Sequence, residues 1–78
     1  MPDEIYFLCL LHNIGATSSE KSLSIDEITQ WTVMEPQRVR ENLEKLINTE
    51  YIQKTFKEGS EKYHVTINGI RKVLSMYS

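Results

Sequence analysis

Val39, Leu43, Leu46 and Ile47 follow one another at offsets of four, three and one, which places them on a single face of a helix. Pro36 suits the first position of that helix, where its missing N–H costs nothing, and Glu35 before it suits the dipole. The pattern predicts a helix over 36–49, with Gln37, Glu41, Glu44 and Asn48 on the opposite face. Arg38 and Lys45 flank that face on one side and Arg40 on the other. Upstream, 3-DEIYFLCLLHNI-14 predicts a first helix with Asp3 as N-cap and Gly15 ending it. Seven consecutive apolar residues wrap this helix, more than one core-facing stripe requires, so burial on several sides is expected. The Ser-rich stretch 15–22 carries no helical period, and 22-SLS-24 reads as a short extended segment. Ser24 and Glu27 form a capping box that opens a second helix through about Thr32 with Ile28 facing inward; Val33 and Met34 make the turn. Beyond the third helix, 51–56 reads as a strand and 57-KEGS-60 as a turn. Residues 62–66 alternate polar and apolar as the return strand of a hairpin. Thr66 then caps a last helix with Ile70, Val73, Leu74 and Tyr77 on its apolar face.

Composition narrows the class. Seventy-eight residues bound the chain to one small domain, 1–78, of a size that is marginally stable alone. The apolar run at 5–11 is too short to span a bilayer and follows acids rather than bases, so neither a membrane span nor a signal peptide is expected. A single cysteine, Cys9, fits a reducing, cytoplasmic setting and reads as an inert buried thiol. His12 and His64 lack ligand-spaced companions, so no metal or cofactor is expected. No Gly-rich phosphate loop, nucleophile set or carboxylate pair points to catalysis, and the chain does not read as an enzyme.

The net charge of −2 conceals an asymmetry. Residues 1–35 hold one base and six acids, whereas residues 36–78 hold eight bases and five acids. A basic surface can therefore coexist with a low pI. Folding is expected to gather the second-half cations on one continuous ridge, away from the acids of the first half.

Three stretches carry a resemblance. The residues 43-LEKLINTEYI-52, 63-YHVTINGIRKVL-74 and 28-ITQWTVMEPQRV-39 resemble, in order, the end of the third helix, the closing strand with its following helix, and the helix-turn-helix core of winged helix-turn-helix proteins, including MarR- and ArsR-like regulators. The resemblance covers roughly residues 5–77. It implies an α+β, mostly helical fold: a three-helix core, a β-hairpin wing and a C-terminal helix. Two residues depart from the pattern: Val33 and Glu50 stand where glycine is usual. A β-branched residue disfavours positive φ, so a different turn geometry is expected at Val33.

The resemblance further implies double-stranded DNA as partner, with helix 36–49 in the major groove and wing 51–66 on the backbone. Carried over by position, Gln37, Arg38, Glu41 and Asn42 become base readers, since these side-chain types match base-edge donors and acceptors. Thr29, Gln30, Arg40, Lys45, Lys54, Lys57 and Lys62 become backbone contacts. The apolar surplus points to a homodimer through Tyr6, Phe7, Leu10, Met76 and Tyr77, which would double the phosphate contacts. Trp31, off the face of Ile28, is expected to be partly exposed and to fill the gap beneath the first helix. Two rivals remain: a winged-helix protein-interaction module, favoured by Glu41 and Glu44, and a subunit of a larger assembly.

Overall fold

The computed structural model describes residues 2–77. Helix α1 spans Asp3–Asn13, α2 Ile25–Thr32, α3 Pro36–Asn48 and α4 Ile67–Ser75; strands β1 (Ile52–Lys57) and β2 (Ser60–Val65) lie between α3 and α4. The core gathers Phe7, Leu8 and Leu11 of α1, Ile28 of α2, Val39, Leu43 and Leu46 of α3, Ile52, Tyr63 and Val65 of the hairpin, and Val73 of α4.

Asp3 is the first helical residue rather than the cap. Pro2 holds the N-cap position in an extended conformation, with no side-chain cap bond, and its carbonyl accepts from the Ile5 and Tyr6 N–H groups. The surplus apolar surface of α1 goes largely into the domain's own core, because α3 and α4 pack it on two sides. Phe7, expected at a dimer interface, is fully buried there; Tyr6 beside it stays 56% exposed.

The extended segment at residues 22–24 forms a bridge: Leu23 and Tyr63 exchange backbone hydrogen bonds of 2.9 and 2.8 Å. The capping box of α2 is complete, with the Glu27 N–H donating to Ser24 Oγ at 3.2 Å and the Ser24 N–H to Glu27 Oε1 at 3.0 Å. Trp31 is 64% exposed, so it fills no gap beneath α1.

Both departures from glycine keep the glycine geometry. Val33 has φ 57° and Glu50 φ 66°. The turn after α2 is therefore left-handed, contrary to expectation, at the cost of a β-branched side chain in an unfavourable region. At Glu50 the reason is visible: the Tyr51 N–H reaches back to the Leu46 carbonyl at 2.9 Å and the Glu50 N–H to the Ile47 carbonyl at 3.0 Å. These paired bonds satisfy the carbonyls at the end of α3 and require a left-handed residue between.

The hairpin is antiparallel, with Ile52 opposite Val65 and Lys57 opposite Ser60. The first strand runs one residue and the second two residues further toward the tip than expected, which leaves the two-residue turn Glu58-Gly59 with φ 52° and 79°. Two positive φ values suit the twist of such a hairpin. Thr66 is a cap rather than a strand residue. Its hydroxyl accepts from the Gly69 N–H at 3.1 Å and donates to the Glu50 carbonyl at 2.7 Å, latching the start of α4 to the end of α3. Gly69 is required there: a Cβ would collide with the Tyr51 carbonyl oxygen and lie 2.6 Å from Val65 Cγ1.

Candidate nucleic-acid interface

The outward surface of α3 follows from its inward one. With 3.6 residues per turn, burying Val39, Leu43 and Leu46 drives Gln37, Glu41, Glu44 and Asn48 to the far side, and all four are exposed. Gln37 Nε2 lies 3.5 Å from Glu41 Oε2, one turn on. Arg38 and Arg40, two residues apart, fall on opposite flanks of this stripe.

Asn42, expected among the base readers, is 5% exposed and belongs to the inward side. It lies one residue before Leu43, and that flank is covered by the packing of α1 on α3. Thr29 is likewise withdrawn as a backbone contact through its side chain, because its hydroxyl is buried without a hydrogen-bond partner. Gln30, on the same helix, is exposed.

The cations do not form one ridge. On one flank of α3, Arg38 Nη2 lies 3.2 Å from Asp3 Oδ2 and Lys45 Nζ 3.9 Å from Glu4 Oε2. On the other flank, Arg40 lines a cleft between α3 and the hairpin together with Glu44, Lys54, Glu61 and Tyr63. Lys54 pairs with Glu61 at 3.6 Å, and Lys62 with Glu27 at 3.3 Å. Lys57 Nζ donates to the Ser19 carbonyl at 2.9 Å. Acids of the first half thus approach the cations rather than standing apart from them.

Two titratable groups show how the surroundings act. The Glu27 carboxyl is lowered, chiefly by the hydrogen bond from the Ser24 backbone; burial opposes this, and Lys62 and the Ser24 hydroxyl add to it. The Tyr63 phenol is pushed up to about 12 by burial first and by Glu61 second; its hydroxyl donates to Glu61 Oε2 at 3.0 Å. Tyr63 is therefore a neutral wall of the cleft beside Arg40.

Sequence reasoning overlooked Asp3 and Glu4 as counter-ions of α3, since Asp3 and Arg38 are 35 positions apart and nothing local announces their meeting. It also passed over Phe56 near the hairpin tip, 73% exposed, and left Leu74, 55% exposed, outside the candidate dimer surface. Of that surface, Tyr6 and Tyr77 are exposed, whereas Leu10 and Met76 are half-buried.

A family described as winged helix DNA-binding domain matches residues 8–68. No curated protein sequence matches the chain at a significant level. Among solved structures, the DNA-binding TubR fragment from Clostridium botulinum is 25% identical, with a TM-score of 0.82 over 95% of this chain and 93% of that one. TubR from Bacillus megaterium pBM400 is 19% identical, with a TM-score of 0.82 over 99% and 87%. BpsR from Bordetella bronchiseptica, whose DNA binding is regulated by 6-hydroxynicotinic acid, is 18% identical, with a TM-score of 0.80 over 97% of this chain and 52% of that one. No helix among the described residues is long and apolar enough to cross a membrane.

Proposed function

The chain belongs to the winged helix DNA-binding domain family, and from that membership we propose that it is a small cytoplasmic regulator of transcription that sets α3 in the major groove of duplex DNA. The observation that carries this reading is the extent of the family match. Residues 8–68 take in α2, its turn, α3 and the whole hairpin, which is every element the docking uses. The Clostridium botulinum TubR fragment, similar over nearly its full length, is itself a DNA-binding fragment.

Gln37, Arg38 and Glu41 are the base readers in this proposal, since they are exposed on the first two turns of α3 and their groups match base edges. Gln30, Arg40, Lys45, Lys54, Lys57 and Lys62 face phosphates. With about five phosphates neutralised per protomer, one copy binds weakly at physiological salt. A homodimer through Tyr6, Leu10, Leu74 and Tyr77 doubles the contacts and reads two half-sites about 34 Å apart. Tyr6 and Tyr77 suit an interface, since aromatic residues are enriched there.

Fluorescence anisotropy with a random duplex tests the reading. Binding at 50 mM salt should weaken by about 10²–10³-fold at 200 mM, and Arg40→Ala should flatten the log-log slope by about 0.9. Absence of binding at 50 mM salt overturns it. The result would favour the protein-interaction module, for which the outward acids Glu41 and Glu44 already speak.

A further inference from the structure

Each of the four ion pairs among the described residues joins a candidate DNA-contacting cation to a carboxylate of the same chain. Two of them link α1 to α3, and they do so as a set. Asp3 and Glu4 are adjacent in the first turn of α1, while Arg38 and Lys45 stand seven residues apart. Seven residues are two helical turns, about 10.5 Å along one stripe. The first turn of α1 therefore lies alongside the flank of α3, with one carboxylate for each cation. The core fixes this placement, because Phe7, Leu8 and Leu11 pack in one cluster with Val39, Leu43 and Leu46. The position also suits the acids, since negative charge is favoured in a helix's first turn.

A carboxylate oxygen and a phosphate oxygen make the same kind of charge-assisted bond to a guanidinium or ammonium group. A cation held by one is not free for the other. We propose that Asp3 and Glu4 are positioning residues for DNA binding that act as built-in competitors of the DNA acceptors that Arg38 and Lys45 engage. Docking of α3 then proceeds by exchange: a base-edge acceptor replaces Asp3 on Arg38, and a phosphate replaces Glu4 on Lys45. The exchange is feasible because the pairs are open to water. Arg38 and Asp3 side chains are 54% and 76% exposed, and Lys45 is 63% exposed against 29% for Glu4. Exposed pairs are weak and give way without unfolding anything. The free domain keeps Arg38 laid along the flank of α3 rather than waving in solvent. It also binds phosphate less avidly than its cation count suggests.

This inference rests on the DNA-binding reading, and a double-mutant cycle separates the two. Affinity for a random 20-base-pair duplex is measured at fixed salt for the wild type, Asp3→Asn, Arg38→Gln and the double variant, with Glu4→Gln and Lys45→Gln as a second cycle. Circular dichroism checks that each variant is folded. Asp3→Asn should tighten binding by about two- to five-fold, the range set by the strength of an exposed pair. The gain should vanish when Arg38 is already Gln. A gain of equal size in both backgrounds would mean that Asp3 merely repels DNA through space, and would overturn the exchange. So would no gain at all in a wild type that binds. A wild type that does not bind the duplex at low salt defeats the DNA-binding reading itself.

Discussion

The helical core and the hairpin translate apolar pattern into burial differently. On α2 and α3, the stripe read from the sequence is the stripe that is buried, Ile28 on the one and Val39, Leu43 and Leu46 on the other; of the stripe read for α4 only part is, with Val73 buried and Leu74 and Tyr77 55% and 63% exposed. In the hairpin, alternation assigns the face correctly but not the burial. Ile52, Lys54 and Phe56 share a face with their partners Val65, Tyr63 and Glu61. Ile52 is 2% exposed and Phe56 73%, because the core ends before the tip. His64 lies on the opposite face, where a solvated residue is expected, and is 8% exposed. The chain at 16–17 covers it: the Val65 N–H donates to the Ala16 carbonyl at 2.7 Å, and Thr17 borders the same hollow. Local period sets direction; what lies in that direction is decided by the rest of the chain.

The two phenylalanines give the largest test. Phe7→Ala in the helical core should cost about 3–5 kcal/mol, a large share of the stability of so small a domain. Phe56→Ala at the hairpin tip should change stability by no more than about 0.5 kcal/mol. Urea titration of both variants at low protein concentration measures the contrast. A cost above about 1 kcal/mol for Phe56→Ala would mean that the tip is packed after all, and the distinction between the regions would fail.

The left-handed residues offer a finer version. Val33 carries a β-branched side chain at φ 57° with 89% of its surface exposed, so its strain is relieved by no packing. Val33→Gly should stabilise by about 0.5–1 kcal/mol, the relief of about 1–2 kcal/mol being partly offset by the greater freedom of glycine in the unfolded chain. Glu58, unbranched at φ 52° in the hairpin turn, should gain less from the same change. Thermal denaturation of the two variants gives the order. If Glu58→Gly gains as much as Val33→Gly, β-branching is not what makes the helical turn costly.

Much of the fold was legible because its signals are local. The capping box at Ser24 and Glu27, Pro36 at the start of α3 and Thr66 at the start of α4 each act within four residues. The candidate interface was legible only in part. Gln37, Arg38 and Glu41 could be placed outward from periodicity alone, but Asn42 stands at the edge of the stripe, where the neighbouring helix rather than the period decides. The same neighbour claimed Phe7 and supplied Asp3 and Glu4 to the cations of α3. Pairings across 35 positions depend on the angle between two helices, and no window of sequence contains that angle.

His64 yields the smallest effect and tests what it means to be buried on the solvent-side face of the hairpin. Its imidazole is lowered from the ordinary value near 6.5, first by burial and then by the Lys57 ammonium, and its Nδ1 is buried without a hydrogen-bond partner. A histidine lowered in the folded state takes up its proton more readily when unfolded. Its contribution to stability is therefore complete above the unfolded value and is lost as pH falls from about 6.5 through the lowered folded value. Melting temperature should be flat from pH 8 to 7 and should decline as pH falls below about 6.5, before the carboxylates begin to titrate. In His64→Gln, which keeps a polar group of similar size but cannot titrate, that decline should disappear. Proton NMR of the His64 ring should place its midpoint below 6.5. An equal decline in the variant, or an ordinary midpoint, would mean that the chain at 16–17 opens readily and that His64 spends its time in water, restoring to the hairpin the simple alternation its sequence suggests.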